Sequence, residues 1–502
     1  MSETYVTPTF ASVSDLIREN AARNPAKLAL IDADRPLTWA EFDSRLDRYA
    51  AFLQAEGVKK GDRVAIAASM SANSVALFFA IMRAGAVTVP LSPALSDAAL
   101  AAMVLDAGAG LIFSDRTLPL PPGIRCASMA IASNFAAPPP VNVVIAPHDP
   151  CNLIYSSGTT GTPKGIVQPH AMRWAHIQRG ASQGYDGNAI TLVSTPLYSN
   201  TTLVSVYPTV GLGGTMVLMS KFDAREFLAL SARHRVTHAM LVPVQYRRIM
   251  ALPDFDDFDL GAYRMKFCTS APFAAELKAD ILARWPGGLV EYYGMTEGGG
   301  TCILRAHEHP DKLHTVGCPG PGSLFRVIDE QGRALLPEET GEIVGRSPGM
   351  MTGYHGRPEE TAAAEWHDEN GVRYIRTGDV GRFDADGFLK LVDRRKDMII
   401  SGGFNIYPSE LEAALLAQPG VLEAAVVGVA SEEWGETPVG FVVMDDDAKF
   451  DDALLLSQAN GALERLQRIR VLYRIGSLPR NAIGKVLKSD LRSIAEAAAK
   501  AS

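Results

Sequence analysis

The sequence predicts an α/β protein: a large N-terminal part of two α/β subdomains plus a β-rich subdomain, then a small α+β C-terminal domain. Three observations lead there. The chain has 502 residues, well beyond the roughly 150 of an ordinary single domain. Helical and extended patterns alternate as far as Phe113 and again from Asp223 onward. From about Gly317 the style changes to short strands broken by glycine turns, and the stretch after Val392 reads helix, strand, strand, helix. The domain boundary is therefore set at 1–392 and 393–502.

Each element has a local reason. Thr38 and Glu41 form a capping box, so a helix starts there. Phe42, Leu46, Tyr49 and Leu53 then recur at helical spacing and turn one face inward. Gly57 and the turn at residues 59–62 end that helix, and Val64 to Ala67 reads as a buried strand. A helix from Asn73 to Arg83 leads to a strand from Ala86 to Leu91. Another, from about Asp97 to Leu105, leads to a strand at Leu111 to Phe113. Prolines 119–122 and 138–140 bracket a stretch of little pattern, expected as a surface connection between two halves of the large region. Asp223 caps a helix through about His234, and Thr237 to Val242 follows as a strand. Gly341 to Arg346 and Gly387 to Val392 are strands of the β-rich part.

Composition narrows the function. With 47% hydrophobic and 21% charged residues the chain can bury several cores, which excludes dominant disorder. Lys plus Arg is 48 against 56 Asp plus Glu, a net charge of −8 that argues against general nucleic-acid binding. Early charges at Glu3, Asp15, Arg18 and Glu19 leave no signal-peptide core, and no uncharged run is long enough to span a bilayer. The five cysteines never follow C-x-x-C spacing, as expected of reduced thiols in a cytoplasm.

The most informative segment is residues 155–165, Tyr-Ser-Ser-Gly-Thr-Thr-Gly-Thr-Pro-Lys-Gly. Its hydroxyls (Ser156, Ser157, Thr159, Thr160), glycines (Gly158, Gly161) and Lys164 suit a loop that cradles phosphate. It lacks the G-K-[ST] ending of a Walker loop, since Pro163 precedes Lys164 and Gly165 follows. Thr296 and Glu297 offer a hydroxyl for phosphate and a carboxylate for magnesium. Tyr293 offers a flat face for adenine. Asp379, after a Thr-Gly turn, can accept hydrogen bonds from two ribose hydroxyls.

These residues resemble the adenylate-forming superfamily of acyl- and aryl-CoA synthetases, luciferases and peptide-synthetase adenylation domains. The likeness runs in order through the phosphate loop, Tyr293-Gly294-Met295-Thr296-Glu297, Thr377-Gly378-Asp379, residues 393–397, residues 402–410 and Pro479 to Lys485. It implies ATP, Mg2+ and CoA as co-substrates and ions. Carboxylate and ATP would give an acyl-adenylate and pyrophosphate, and a thiol would then attack the acyl carbon. The resemblance adds Ser270, Ala271, Glu291, Tyr292 and Arg394 to the nucleotide site. It makes Asp393 the hinge of a mobile C-terminal domain and Lys485 the lysine that neutralises charge during adenylation. CoA contacts fall to Lys221, Gly402 and Gly403.

By position the acid pocket draws on Tyr198, Ser199, Asn200, Thr269 and residues 298–301 (Gly298, Gly299, Gly300, Thr301). Ser199 stands where relatives acting on aromatic or fatty acids often carry His. The glycines suggest room for a long or broad acid. No Arg or Lys lies in these segments, so a second substrate carboxylate would be buried unpaired at a cost of several kcal/mol, which favours a fatty or aromatic monocarboxylic acid. Two alternatives stay open: loading of an acyl group onto a carrier protein's pantetheine, and a non-catalytic binding module of the same fold. No attachment serine of D-S-L type follows residue 485. A homodimer is compatible with this reading, and no nucleic-acid partner is expected.

Overall fold

The computed structural model describes residues 9–33, 35–135, 138–156, 164–401, 404–431, 434–445, 451–461, 463, 467–481 and 484–501. The core of the phosphate loop (Ser157, Gly158, Thr159, Thr160, Gly161) and the CoA candidates Gly402 and Gly403 lie outside the described residues, as does the side chain of Ser156.

Two compact units divide the chain. One holds residues 1–324 and 345–375, the other residues 325–344 and 376–502. The chain passes between them inside three strands, Leu324–Ile328, Gly341–Arg346 and Arg373–Phe383.

Two large sheets form the first unit. The seven-stranded sheet runs Gly353–Tyr354, Lys164–Pro169, Pro150–Ser156, Val87–Pro90, Arg63–Ala67, Leu111–Ser114, Arg125–Ala127. The nine-stranded sheet runs Cys318–Pro319, Thr301–Arg305, Gly288–Gly294, Met265–Cys268, His238–Leu241, Ile190–Val193, Thr215–Leu218, Leu28–Asp32, Arg35–Thr38. Its middle pairs are all parallel, and both edges turn antiparallel. Central strands such as His238–Leu241 are buried at every residue, as parallel strands covered on both faces must be.

The helices follow their caps. Thr38 accepts from the Glu41 amide while Glu41 accepts from the Thr38 amide at 2.8 Å, and the helix Trp39–Ala55 begins there. Asp223 caps Ala224–His234 through the Glu226 amide at 2.9 Å. Trp39, Phe42, Leu46 and Tyr49 join Phe78, Phe79 and Tyr207 in one large apolar core.

The stretch 119–140 does not separate two halves. It contains a strand, Arg125–Ala127, and a helix, Met129–Ser133. Beyond it, Pro150–Ser156 and Lys164–Pro169 return to the sheet begun before it, while Leu28–Asp32 from the start of the chain pairs with Thr215–Leu218. The sheets interleave in sequence, which local pattern cannot reveal.

In the second unit a five-stranded sheet contains Val421–Ser431 and Gly435–Met444, paired antiparallel over their whole length, with helices Pro408–Leu416, Asp452–Gly461 and Lys488–Ala501. The strand Val471–Arg474 and the helix Asp452–Gly461 add to the simple helix-strand-strand-helix expectation.

Candidate functional site

Part of the first unit's candidate set (Glu291, Tyr292, Tyr293, Thr296, Glu297 and residues 298–301) lies on one hairpin. Gly288–Gly294 pairs antiparallel with Thr301–Arg305, Gly294 opposite Thr301, so residues 295–300 form the connection bearing Thr296 and Glu297. Tyr354 donates its hydroxyl to Glu297 Oε1 at 2.9 Å, and the Lys164 ammonium stands 5.1 Å from the Tyr354 ring centre. One tyrosine therefore links the lysine that closes the phosphate loop to the expected metal carboxylate. Burial and the Glu297 charge push the Tyr354 hydroxyl well above its ordinary pKa, so it stays a donor. Sequence reasoning missed Tyr354, since nothing local marks it.

Among the described residues no cluster of three or more His, Cys, Asp or Glu is arranged to hold a metal. A single carboxylate such as Glu297 fits an ion that binds mainly through substrate phosphates and water.

Beneath the hairpin lies a buried polar network. Arg173, on the helix His170–Ser182, donates to Asn152 at 3.1 Å, to Asn200 at 2.9 Å, and to Gln168. Gln168 in turn donates to the Thr296 carbonyl at 2.7 Å. The Asn200 side chain, expected in the acid pocket, is thus engaged by Arg173. Ser199 caps the helix Asn200–Gly211 by accepting from the Thr201 amide at 3.3 Å. The Thr201 hydroxyl meets Ser270 at 2.5 Å, where Ser270 adopts a left-handed φ of 82°, and Thr269 donates to the Tyr292 carbonyl at 2.8 Å. Tyr198 and Ala271 are partly exposed beside these contacts, and Lys221 is exposed.

Three expectations need correction. Gly298 and Gly299 do not open room for an acid. A β-carbon on Gly298 would lie 2.3 Å from the Gly349 carbonyl oxygen, and one on Gly299 would lie 2.9 Å from Ile375. The space their side chains vacate is filled by neighbouring chain. Next, the Glu291 side chain turns into the interior. It is buried and ion-paired with Lys278 of the helix Ala275–Arg284, and burial raises its pKa to about 7. Tyr292, on the opposite face of the strand, is stacked on Phe267 with centroids 5.6 Å apart. Neither side chain is presented for a nucleotide, while Tyr293 between Tyr292 and Gly294 is only partly buried.

The third concerns charge. The pocket segments contain no cation, yet the helix His170–Ser182 brings one to them: Arg179 donates to Thr301 Oγ1 at 3.1 Å and lies 5.1 Å from the Tyr292 ring centre. Arg173, His176 and Arg179 recur every three residues along one helix face, a spacing readable in the sequence.

The second unit's candidates form their own cluster. Leu389–Arg394 pairs with Arg373–Phe383 so that Asp379 faces Arg394, and the two form an ion pair at 3.0 Å. Gly378, at φ 71°, lies within the strand Arg373–Phe383 and not in the expected turn, and the Thr377 hydroxyl accepts from the Asp379 amide at 3.1 Å. Asp393 accepts from the Ser409 amide at 2.9 Å, so its carboxylate caps the first turn of Pro408–Leu416 from outside. Lys485 follows Gly484, whose φ is 76°, in a turn closed by Asn481. Burial, with Arg394 and Lys396 adding like charge, pushes the Lys485 ammonium down to about 8, partly offset by Asp379 and Asp397.

Comparison with known proteins bears on this geometry. A model of the AMP-binding enzyme family matches residues 17–355, and one of the AMP-binding enzyme C-terminal domain matches residues 410–485. Feruloyl-CoA synthase of an Amycolatopsis species is 34% identical over 482 residues, covering 94% of this chain and 96% of its own. The long-chain-fatty-acid–CoA ligase FadD13 of Mycobacterium tuberculosis is 31% identical over 499 residues, covering 95% and 97%. The structure of o-succinylbenzoate coenzyme A synthetase from Bacillus subtilis with ATP and magnesium superposes with a TM-score of 0.84 at 27% identity, covering 95% and 98%.

Proposed function

The chain belongs to the AMP-binding enzyme family and is an AMP-forming acid–CoA ligase, and we propose how its residues divide the work. The acid's carboxylate attacks the α-phosphate of ATP, pyrophosphate leaves, and the thiol of free CoA then displaces AMP from the acyl carbon. Adenylation is needed because a carboxylate is a poor electrophile. The thiol belongs to CoA, so no protein nucleophile is assigned.

Lys164, with the loop of residues 156–161, holds phosphate oxygens. Thr296 donates to phosphate, and Glu297 would hold the magnesium ion, which screens phosphate charge when bound. Asp379 takes the ribose hydroxyls, Arg394 steadies the nucleotide, and Lys485 neutralises charge moving onto the leaving pyrophosphate. Asp393 is the hinge residue of the C-terminal part, and Lys221 contacts CoA. The substrate is an aromatic or fatty carboxylic acid, the two classes named for the relatives above.

What carries this reading is the company Lys485 keeps: it feels the charges of Arg394, Lys396, Asp379 and Asp397, all four in family motifs. A decayed binding module would have no reason to retain that set together with Thr296, Glu297 and Lys164. The expectation of a single acid group rested on a pocket without cations, and Arg179 removes that ground.

Incubation with ATP, magnesium and a panel of cinnamic, benzoic, fatty and alicyclic acids, with and without CoA, tests it. Acyl-CoA and AMP should form. Pyrophosphate release that never yields acyl-CoA would instead point to a carrier-protein acceptor.

A further inference from the structure

A guanidinium without a carboxylate is an unusual thing to hold inside a protein. Among the described residues Arg179 makes one hydrogen bond, to the neutral hydroxyl of Thr301, and otherwise lies against the Tyr292 ring. Arg173, two turns earlier and fully buried, also contacts only neutral groups: Asn152, Gln168, Asn200, His176 and the Tyr207 ring. His176 stands between them on the same face. Its burial, together with both arginines, holds its imidazole well below the usual range, so it adds no charge and brings no compensation. Among the described residues no carboxylate pairs with either arginine, although the buried Cys151 thiol lies in the field of Arg173, and a buried or half-buried cation in that state is costly unless a ligand supplies the charge.

The location tells which part of a ligand that would be. Arg179 lines a narrow crevice with His176, Tyr185, Met240, Phe267 and Tyr292, flanked by the stacked rings of Tyr185, Phe267 and Tyr292. Thr296 and Glu297 stand in the connection beyond Gly294, whereas Tyr292 lies two residues back along the strand, roughly 7 Å at strand rise. Arg179 reaches the Tyr292 ring on one side and, through Thr301 opposite Gly294, the foot of the connection that carries Thr296 and Glu297. Its helix is held firmly: a β-carbon on Gly180 would meet Pro208 at 2.2 Å, and one on Gly211 would meet Ile177 at 2.8 Å, so the helices His170–Ser182 and Asn200–Gly211 are in close contact. A cation fixed this way costs little reorganisation on binding.

We propose that the acid activated by this enzyme carries a second carboxylate at its far end, and that Arg179 binds it. The inference rests on the ligase reading and goes beyond it by naming the substrate class: a dicarboxylic acid, one end adenylated and the other paired with a fixed arginine. Arg173 supports the same site by its field, while its hydrogen bonds keep it in the network under Thr296.

The test compares matched acids on the full-length enzyme: cinnamate, 4-hydroxycinnamate and 4-carboxycinnamate, and octanoate against suberate. Wild type should show kcat/KM at least 100-fold higher for the dicarboxylate of each series that fits. Arg179→Met should lose that 100-fold on the dicarboxylate while changing the monocarboxylate less than about fivefold, and Arg179→Lys should fall between. Wild-type preference for cinnamate, 4-hydroxycinnamate or octanoate overturns the proposal and leaves the ligase standing. So does an equal loss on both acids in Arg179→Met with an unchanged melting temperature, which would place the arginine on the reacting carboxylate. Should Arg179→Met not fold, the wild-type ratio and Arg179→Lys decide. If no acid releases pyrophosphate from wild type, the ligase reading fails first and takes this inference with it.

Discussion

Tyr354 donates to Glu297 across 2.9 Å, joining a short strand of one sheet to the connection of a hairpin in the other. A hydrogen bond to a charged acceptor contributes about 1.5–3 kcal/mol, enough to fix which way the carboxylate faces. Tyr354→Phe should therefore raise the magnesium concentration needed for half-maximal adenylation by roughly tenfold, with the melting temperature little changed. A magnesium titration of pyrophosphate release reads this directly. An unaltered magnesium requirement would reduce the tyrosine to packing.

Lys485 must be protonated to neutralise phosphate charge, and its ammonium is pushed down to about 8. For a cation the charged form lies below the pKa, so kcat/KM for ATP should be level near pH 7 and fall as pH rises through about 8. Lys485→Ala should remove this limb and slow adenylation by about 100-fold or more, while sparing thioester formation from supplied acyl-adenylate. Equal loss in both half-reactions would contradict the role.

Lys278 and Glu291 form a buried pair in which Lys278 also donates to the Leu313 carbonyl at 2.7 Å and the Thr315 carbonyl at 3.2 Å. Removing one member strands the other. Lys278→Met should cost about 3–5 kcal/mol in denaturant unfolding, and Glu291→Gln markedly less, because the lysine keeps its carbonyl partners. The sign with pH follows from burial, which raises the Glu291 pKa from 4.5 to about 7. Such a group adds stability below its unfolded pKa that is lost as pH rises through the folded one. The Lys278→Met penalty should thus be larger at pH 8 than at pH 5.

Gly298 and Gly378 both sit at positive φ, 76° and 71°, but a β-carbon clashes only at the first. Gly378→Ala should cost about 1–2 kcal/mol from the left-handed backbone alone. Gly298→Ala should cost clearly more, because the Gly349 carbonyl must also move, and it should reduce adenylation by displacing Glu297. Equal melting temperatures for the two variants would refute the steric argument.

Asp393 accepts from the Ser409 amide and so ties the expected hinge to the start of a helix. Asp393→Pro should impair thioester formation more than adenylation if the residue is the hinge. Loss confined to stability, about 1 kcal/mol for a missing cap, would leave it a structural acceptor.

Much of the fold was legible because local chemistry encodes it. The Thr38 and Asp223 caps, the helical repeat of Phe42, Leu46 and Tyr49, and the apolar runs of the strands each act within a few residues. The adenylation motifs were legible for the same reason. What escaped depends on distance: Tyr354 meets Glu297 57 positions away, and Arg179 meets Thr301 across 122. Gly298 and Gly299 misled because a glycine in sequence signals missing volume without saying who occupies it. Glu291 was misplaced because its partner Lys278 lies on a separate helix.

The pairing of Leu28–Asp32 with Thr215–Leu218 has a consequence for biosynthesis. The strand Leu28–Asp32 has its parallel neighbour encoded nearly 190 residues downstream. At about 5–20 residues per second it waits on the order of ten to forty seconds, its apolar face unclaimed. Truncations ending before residue 215 should leave Leu28–Thr38 without that neighbour, and a chaperone has its best reason to linger at this point of translation.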